Sequence, residues 1–69
     1  MNRIPVSSTN IKSIGWENNI LEVAFKSGGI WQYIGVSNQL YLRMMNASSK
    51  GTFFHDHIKD RFPERKVAL

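Results

Sequence analysis

The sequence predicts a small α+β domain, in which an antiparallel meander of three to four strands is followed by two short helices packed on one face. Residues 10–34 alternate apolar and polar side chains with a period of two, which is typical of half-buried strands. Short turn motifs separate the alternating segments and therefore predict antiparallel neighbours. After residue 35 the apolar residues recur at spacings of three and four, which is the period of an amphipathic helix.

Three segments are predicted as strands, and a fourth is a candidate edge strand. In "NIKSIGW" the alternation places Lys12, Ile14 and Trp16 on one face and Ile11 and Ser13 on the other. The segments "ILEVAF" and "IWQYI" alternate in the same way. Asn-Asn and Gly-Gly pairs separate the three strands, and both tolerate the positive φ angles of tight turns. The predicted strands are 10–16, 20–25 and 30–34, with the candidate edge strand at 6–8.

The first helix is predicted to begin after Ser37, because serine is a favoured N-cap residue. Its apolar positions fall at helical spacing, and we predict that they pack in the core rather than line a groove for a partner. These positions are Leu40, Tyr41, Met44 and Met45.

The second helix is predicted from Phe54, Ile58 and Phe62, which stand four residues apart and so form one apolar stripe. Pro63 is expected to end this helix, because the residue before a proline is disfavoured in the helical region. Neither helix is long enough to be stable alone, so both are expected to dock on the sheet.

The length of 69 residues predicts a single domain over 1–69, with its core at about 6–63 and a short C-terminal tail at 64–69. The absence of cysteine excludes disulfides and cysteine-ligated zinc. The N-terminal segment is too short and polar for a signal peptide, and no apolar run reaches the ~20 residues of a membrane helix. We therefore expect a cytoplasmic protein without membrane contact.

The net charge of +4 is compatible with nucleic-acid binding, although a soluble protein can carry it for other reasons. The basic residues are denser after residue 50 but form no polybasic block. On charge alone, nucleic acid is a plausible partner.

Catalytic and metal sites are not indicated. His55 and His57 are two positions apart and so point ~200° away from each other on a helix, whereas helical metal pairs need spacings of three or four. His57 and Asp60 have a spacing of three, but two ligands do not make a site. No serine lies in a Gly-x-Ser-x-Gly elbow. We expect a non-enzymatic protein without cofactor, metal or small-molecule substrate.

The stretch "SKGTFFHDHIKDRF" carries the first candidate site. On one continuous helix, Lys50, His57 and Arg61 fall within an arc of ~40° and form a basic ridge that could follow a phosphate backbone. Ser49 and Thr52 offer hydroxyl groups at the helix N-terminus, where free N–H groups also favour an anion. The alternative is that these two residues only cap the helix.

The aromatic residues of the strands are the second candidate. Trp16, Trp31 and Tyr33 could share one face of the sheet, where exposed aromatic rings would stack on unpaired bases. The alternative is that they pack in the core beneath the helices. The two roles are exclusive for any one side chain, so burial distinguishes them.

The ordered motifs of this chain resemble those of the KTSC domain, a short module found alone in bacterial or phage proteins and at the C-terminal end of some lysyl-tRNA synthetases. The resemblance runs from about Val6 to Pro63. It implies RNA binding, and it supplies no catalytic residues. The family's central Tyr-x-Tyr corresponds to Trp31-Gln32-Tyr33, with tryptophan in place of the first tyrosine. The matching motifs are "SIGW", "LEVAF", "SGG", "WQY", "GV", "SKG" and "HI" followed by "RFP".

These patterns predict a module that binds RNA or single-stranded nucleic acid, with lysines and arginines on phosphates and aromatic rings on bases. The alternative is a protein-interaction or homodimerisation module, which would use an open strand edge or the region of Tyr41, Met44 and Met45. A regulatory factor of phage origin is a third reading. The candidate site residues are Trp31, Tyr33, Ser49, Lys50, Thr52, His57, Arg61, Arg65 and Lys66.

Overall fold

The alternating segments pair into one antiparallel sheet, and two helices are inserted before its last strand. The computed structural model describes residues 1–68. The five strands lie in the sheet in chain order, each hydrogen-bonded to the next. The elements are β1 (Ile4–Pro5), β2 (Ile11–Glu17), β3 (Ile20–Phe25), β4 (Ile30–Ile34), α1 (Asn38–Met45), α2 (Lys50–His57) and β5 (Glu64–Ala68). The α+β class is confirmed, but the sheet has five strands rather than three to four.

The two predicted turns are formed by residues with positive φ angles. Asn18 and Asn19 have φ angles of 50° and 62°, so they form the two-residue connection of a hairpin between β2 and β3. Gly28 and Gly29 have φ angles of 108° and 91° in the turn between β3 and β4. The Asn-Asn and Gly-Gly pairs therefore form their turns with the positive φ angles that these residue types tolerate.

A β-bulge in β2 changes which side chains enter the core. Ile11 pairs with Phe25 and Ser13 pairs with Ala24, so Lys12 has no partner in the register. The simple alternation predicted Ile11 and Ile14 on opposite faces, and this is wrong because both are fully buried in the same cluster. One extra residue shifts the alternation by one position, as bulges do.

The core lies between one face of the sheet and the two helices. Leu21 and Val23 on β3 are completely buried, and Met44 of α1 and Ile58 after α2 are buried in the same cluster. The whole cluster comprises Ile11, Ile14, Leu21, Val23, Tyr33, Val36, Met44, Phe54 and Ile58. Both helices therefore cover the same face of the sheet.

The second helix begins where predicted but ends earlier. The Ser49 hydroxyl accepts a hydrogen bond from the amide of Thr52 at 3.2 Å, so its predicted role as the cap is confirmed. The helix does not reach residue 62. The amides of Ile58 and Lys59 both donate to the carbonyl of Phe54, and Asp60 adopts a φ angle of 63°. This left-handed residue turns the chain away from the helical path.

Residues 64–68 form an edge strand, β5, rather than the predicted tail, while Leu69 lies outside the described residues. The carbonyl of Pro63 accepts a hydrogen bond from the amide of Ile34 at 2.9 Å, and the pairing continues along β4. All five residues of β5 are exposed, so no burial pattern marks the strand in the sequence. At the other edge, β1 lies at Ile4–Pro5, two residues before the predicted position.

Candidate functional site

The predicted basic ridge is not formed, because α2 ends before Arg61. The Lys50 ammonium group donates to the carbonyl of Ala47 at 2.8 Å, next to the helix N-terminus. The Arg61 guanidinium folds back and donates to the carbonyl of Asp56 at 2.9 Å. His57 is exposed at the last position of the helix. The continuous helix that the predicted ridge requires is therefore absent beyond His57, which corrects the sequence prediction, whereas Lys50 and His57 both lie on α2.

Tyr33 belongs to the core and is not available for stacking. Its side chain is 3% exposed, and its ring packs edge-on against Phe54 with centroids 5.2 Å apart. Burial raises the pKa of Tyr33 to about 12, and the negative charges of Glu64 and Asp60 add to this rise. The prediction that Tyr33 contacts a base is therefore wrong, because its place on β4 faces the helices.

Trp31, also on β4, is only half-buried and lines a groove between the sheet and α2. The groove has a volume of about 310 Å³, and Phe25 and Phe54 contribute further aromatic surface. The rings of Phe25 and Phe54 pack edge-on with centroids 5.5 Å apart, so the apolar part of the groove is fixed by core packing. Lys59 and Glu64 also line the groove and supply its charged groups.

A polar hollow of about 280 Å³ continues this groove towards the N-terminus of α2. Ser49 and Thr52 line the hollow, whereas Asn10, Gly51 and His55 line both it and the aromatic part. Gly51 lets the Asn10 side chain approach α2 closely, because a Cβ atom at this position would lie 2.8 Å from the Asn10 Oδ1 atom and would require that side chain to move. We call the two hollows together the α2 groove.

Lys66 adds a cation beside the α2 groove. It pairs with Trp31 in the register between β4 and β5, which places the two residues on the same face of the sheet. A Cβ atom built on Gly29 would lie 3.3 Å from Lys66 Cε and 3.4 Å from Trp31 Nε1, so both side chains pass close to that glycine. The structure therefore brings together two of the predicted site residues, one aromatic and one basic.

Arg65 belongs to a different cluster, on the sheet face opposite the helices. Its Nε and Nη2 atoms donate to Gln32 Oε1 at 2.9 and 2.7 Å, and Gln32 Nε2 donates to Glu22 Oε1 at 2.8 Å. Arg3 completes the row with hydrogen bonds to Glu22 and to Ser13 Oγ. We call this cluster the polar row. Arg65 therefore lies outside the α2 groove, and its predicted contact with phosphate stays a prediction.

Glu22 is the buried member of the polar row, with an exposed fraction of 6%. Burial alone would raise the pKa of Glu22. The hydrogen bonds from Gln32 and Arg3 and the positive charges of Arg3 and the N-terminal ammonium group outweigh this, so the pKa is lowered from its ordinary value. The charged form of Glu22 is therefore part of the folded structure.

The region of Tyr41, Met44 and Met45 is occupied by core packing. Met44 is completely buried, and the other two are half-buried against the core. The Tyr41 ring stacks on Trp16 with centroids 6.0 Å apart, and the indole nitrogen of Trp16 donates to the carbonyl of Val36 at 2.8 Å. The prediction that these residues serve the core rather than a partner groove agrees with this packing.

Within residues 1–68, no group of three or more histidine, cysteine or acidic side chains is arranged to hold a metal ion. In the same range, no helix has the length and apolar composition needed to cross a lipid bilayer.

Sequence reasoning missed His55, Lys59 and Glu64 as parts of one groove. Lys59 follows the unexpected end of α2, and Glu64 lies on the unpredicted strand β5. A signal was present for Glu64, because a charged segment after a proline is typical of an edge strand.

Comparison with known proteins places this chain in a family. The chain is 33% identical over 61 residues to an uncharacterised protein of Stutzerimonas stutzeri, an alignment that covers 86% of both chains. The crystal structure of a KTSC domain protein from Yersinia pestis superposes with a TM-score of 0.94, at 43% identity and over 97% of both chains. The family model of the KTSC domain matches residues 7–62. The chain therefore belongs to the KTSC domain family.

Proposed function

We propose that the α2 groove binds single-stranded nucleic acid, either RNA or unpaired DNA, and takes up one base against Trp31. The observation that carries this proposal is the position of a half-exposed tryptophan in a groove that also holds Lys59 and has Lys66 beside it. Aromatic rings next to cations are the usual combination in proteins that bind unpaired nucleotides.

The shape of the groove suits a single base better than a large ligand. Its aromatic part, which contains Trp31, has a volume of about 310 Å³, at the lower limit of ligand pockets in proteins. The aromatic floor is rigid, because Phe54 is held between Phe25 and Tyr33 by two edge-on contacts. A flat base that enters this space would cover apolar surface without reordering the core.

The charges around the groove favour a phosphate backbone. Among residues 1–68, Lys59 and Lys66 form no ion pair with a carboxylate. Both are exposed and lie on separate segments, one after α2 and one on β5. A strand that passes over Trp31 would therefore meet a cation on either segment. The polar hollow adds the hydroxyl groups of the predicted residues Ser49 and Thr52.

Replacing Trp31 by alanine should weaken binding of a fluorescently labelled U-rich RNA pentamer roughly 5- to 100-fold, because a base stack contributes ~1–3 kcal/mol. Fluorescence anisotropy at low salt measures this affinity. Trp31→Phe keeps an aromatic surface and should retain most of the binding. Trp16→Phe alters a tryptophan outside the groove and serves as the control. Equal affinity of Trp31→Ala and the wild type would contradict stacking at this position.

Replacing Lys59 by glutamate should weaken binding strongly and reduce its salt dependence, because one phosphate contact contributes ~0.7 to the slope of log K against log salt for single strands. Lys12→Glu is the matched control, since Lys12 is exposed at the bulge of β2 and does not line the α2 groove. Equal losses of affinity in Lys59→Glu and Lys12→Glu would show that the net charge of the protein alone attracts the nucleic acid.

If no single strand binds to the wild-type protein at low salt, the proposal fails. The alternative is then a protein-interaction or homodimerisation module, and sedimentation of the isolated chain measures its oligomeric state directly. Lys66 lies on β5, whose outer edge is exposed, and a lysine on an edge strand opposes pairing with a strand of another molecule. A dimer through this edge is therefore disfavoured.

A further inference from the structure

The α2 groove contains one acidic side chain among cationic neighbours. Glu64 lines the groove together with Trp31 and Lys59. It is exposed, and within residues 1–68 it forms no ion pair. A carboxylate repels a phosphate backbone, so its presence in a site for nucleic acid requires a different role.

Strand pairing fixes the position of Glu64 relative to Trp31. Glu64 pairs with Tyr33 and Lys66 pairs with Trp31, so Glu64 is the diagonal neighbour of Trp31 on the same face of the sheet. Diagonal neighbours lie ~7–8 Å apart, within reach of long and aromatic side chains. The start of β5 is also anchored, because the carbonyl of Pro63 accepts a hydrogen bond from the Ile34 amide. While β5 is paired with β4, Glu64 therefore projects from a defined backbone position.

The effect of Glu64 on its neighbour supports this placement. Tyr33 has a raised pKa, for which burial is the largest cause and the charge of Glu64 the next. The carboxylate therefore lies close enough to the aromatic part of the groove to act on it electrostatically.

We propose, building on the function proposed above, that Glu64 reads the hydrogen-bonding edge of the base stacked on Trp31 and makes the groove select guanine. An ionised carboxylate only accepts hydrogen bonds, and its two oxygens can accept from two adjacent donors. Single-stranded bases expose their Watson–Crick edges, which proteins can read directly. Guanine presents two adjacent donors there, N1–H and N2–H.

The other bases do not match a carboxylate in this way. Adenine and cytosine each present one amino donor next to a ring nitrogen that is an acceptor, and this nitrogen repels the second carboxylate oxygen. Uracil presents its N3–H between two carbonyl acceptors. Lys59, a donor in the same groove, also fits guanine, because the O6 acceptor lies on the same edge as the two donors.

The test uses five labelled pentanucleotides of sequence UUXUU, in which X is guanine, inosine, adenine, cytosine or uracil. No strand contains more than one guanine, which avoids four-stranded guanine structures. We expect the guanine strand to bind roughly 5- to 100-fold more tightly than the adenine, cytosine or uracil strands, the range expected for a bidentate base contact. Inosine lacks the N2 amino group and should bind with intermediate affinity.

Glu64→Gln is the decisive variant, because its amide replaces one acceptor by a donor at nearly the same size. The variant should lose the preference for guanine, because its carbonyl acceptor and NH2 donor match the adjacent donor and acceptor of adenine or cytosine instead of two donors, while it retains affinity for the uracil strand. Glu17→Gln is the matched control, since Glu17 is exposed at the end of β2 and does not line the groove. It should keep the preference for guanine.

The outcomes separate the two proposals. If none of the five strands binds, the proposed function fails and the guanine preference fails with it. If all five bind the wild type with equal affinity, nucleic-acid binding stands and the guanine preference is overturned. A preference that persists in Glu64→Gln would overturn the assignment of Glu64 as the residue that reads the base.

Discussion

Replacing Ile58 by alanine is expected to lower the free energy of unfolding by ~2–5 kcal/mol, the range measured for large-to-alanine changes in protein cores. Ile58 is completely buried, and it lies at the C-cap of α2, where the chain leaves the helix. The substitution would leave a cavity between the sheet and the last turn of α2. A domain of 69 residues has a total stability of roughly 3–10 kcal/mol, so this loss is a large fraction of it.

Urea unfolding followed by circular dichroism measures the effect. The matched control is Ile4→Ala, the same substitution at a position on β1 that is 53% exposed. We expect the control to cost less than about 1 kcal/mol, because little apolar surface is lost from the interior. Equal costs at the two positions would contradict the placement of Ile58 in the core.

Replacing Arg3 by alanine is expected to cost ~1–3 kcal/mol at neutral pH, because the buried carboxylate of Glu22 loses its charged partner. The side chain of Glu22 is 8% exposed and that of Arg3 is 29% exposed. The two halves of the pair are therefore not equivalent. Glu22→Gln should cost less than Arg3→Ala, since a released Arg3 can turn into solvent whereas Glu22 cannot.

The cost of Arg3→Ala should depend on pH. The pKa of Glu22 is lowered in the folded protein, so its stabilising contribution is complete above the unfolded pKa and is lost as pH falls through the folded pKa. Without Arg3, burial raises the pKa of Glu22 with less opposition. The stability difference between variant and wild type should therefore narrow as pH falls through the lowered pKa of Glu22 in the folded wild type, where the carboxyl group becomes protonated.

Urea unfolding at neutral pH and in the acidic range gives this dependence. Arg43→Ala removes an exposed arginine, whose guanidinium lies 5.5 Å from the Phe53 ring centroid, and tests whether any lost arginine has the same effect. Its cost should be smaller and the same at both pH values. A cost of Arg3→Ala that does not change with pH would contradict the pairing with a charged Glu22.

The parts of the fold that follow from local patterns could be predicted from the sequence. The two turns depend on residues that tolerate positive φ, and Asn18, Asn19, Gly28 and Gly29 are such residues. The caps at Ser37 and Ser49 depend on one hydroxyl group and one nearby amide. Neither feature needs information about the rest of the chain.

The remaining features depend on contacts between distant segments. The bulge at Lys12 is set by pairing with β3. Strand β5 is stabilised by pairing with β4 across more than thirty residues of chain, and its own five residues are all exposed. No local periodicity can report such a strand, because the alternation of buried and exposed positions is absent.

The same dependence limited the prediction of the candidate site. Trp31 and Lys66 were both singled out, but only the pairing of β4 with β5 shows that they are neighbours. The helical geometry assumed for Lys50, His57 and Arg61 required a helix that continues to residue 62, and the helix ends at His57. Residue spacing predicts which side chains share a helix face only for residues that lie within the helix.

The exposed strand β5 also sets the dynamics of the groove. Its backbone is hydrogen-bonded to β4 on one edge and none of its side chains is buried, so it can detach without opening the core. Such local opening costs less free energy than global unfolding and appears as faster exchange of amide hydrogens for deuterium. Detachment would carry Glu64 and Lys66 away from Trp31 together. A ligand that contacts Trp31, Glu64 and Lys66 would bind only the state in which β5 is attached. Binding would therefore slow hydrogen exchange along the whole of β5, although the ligand contacts only two of its side chains.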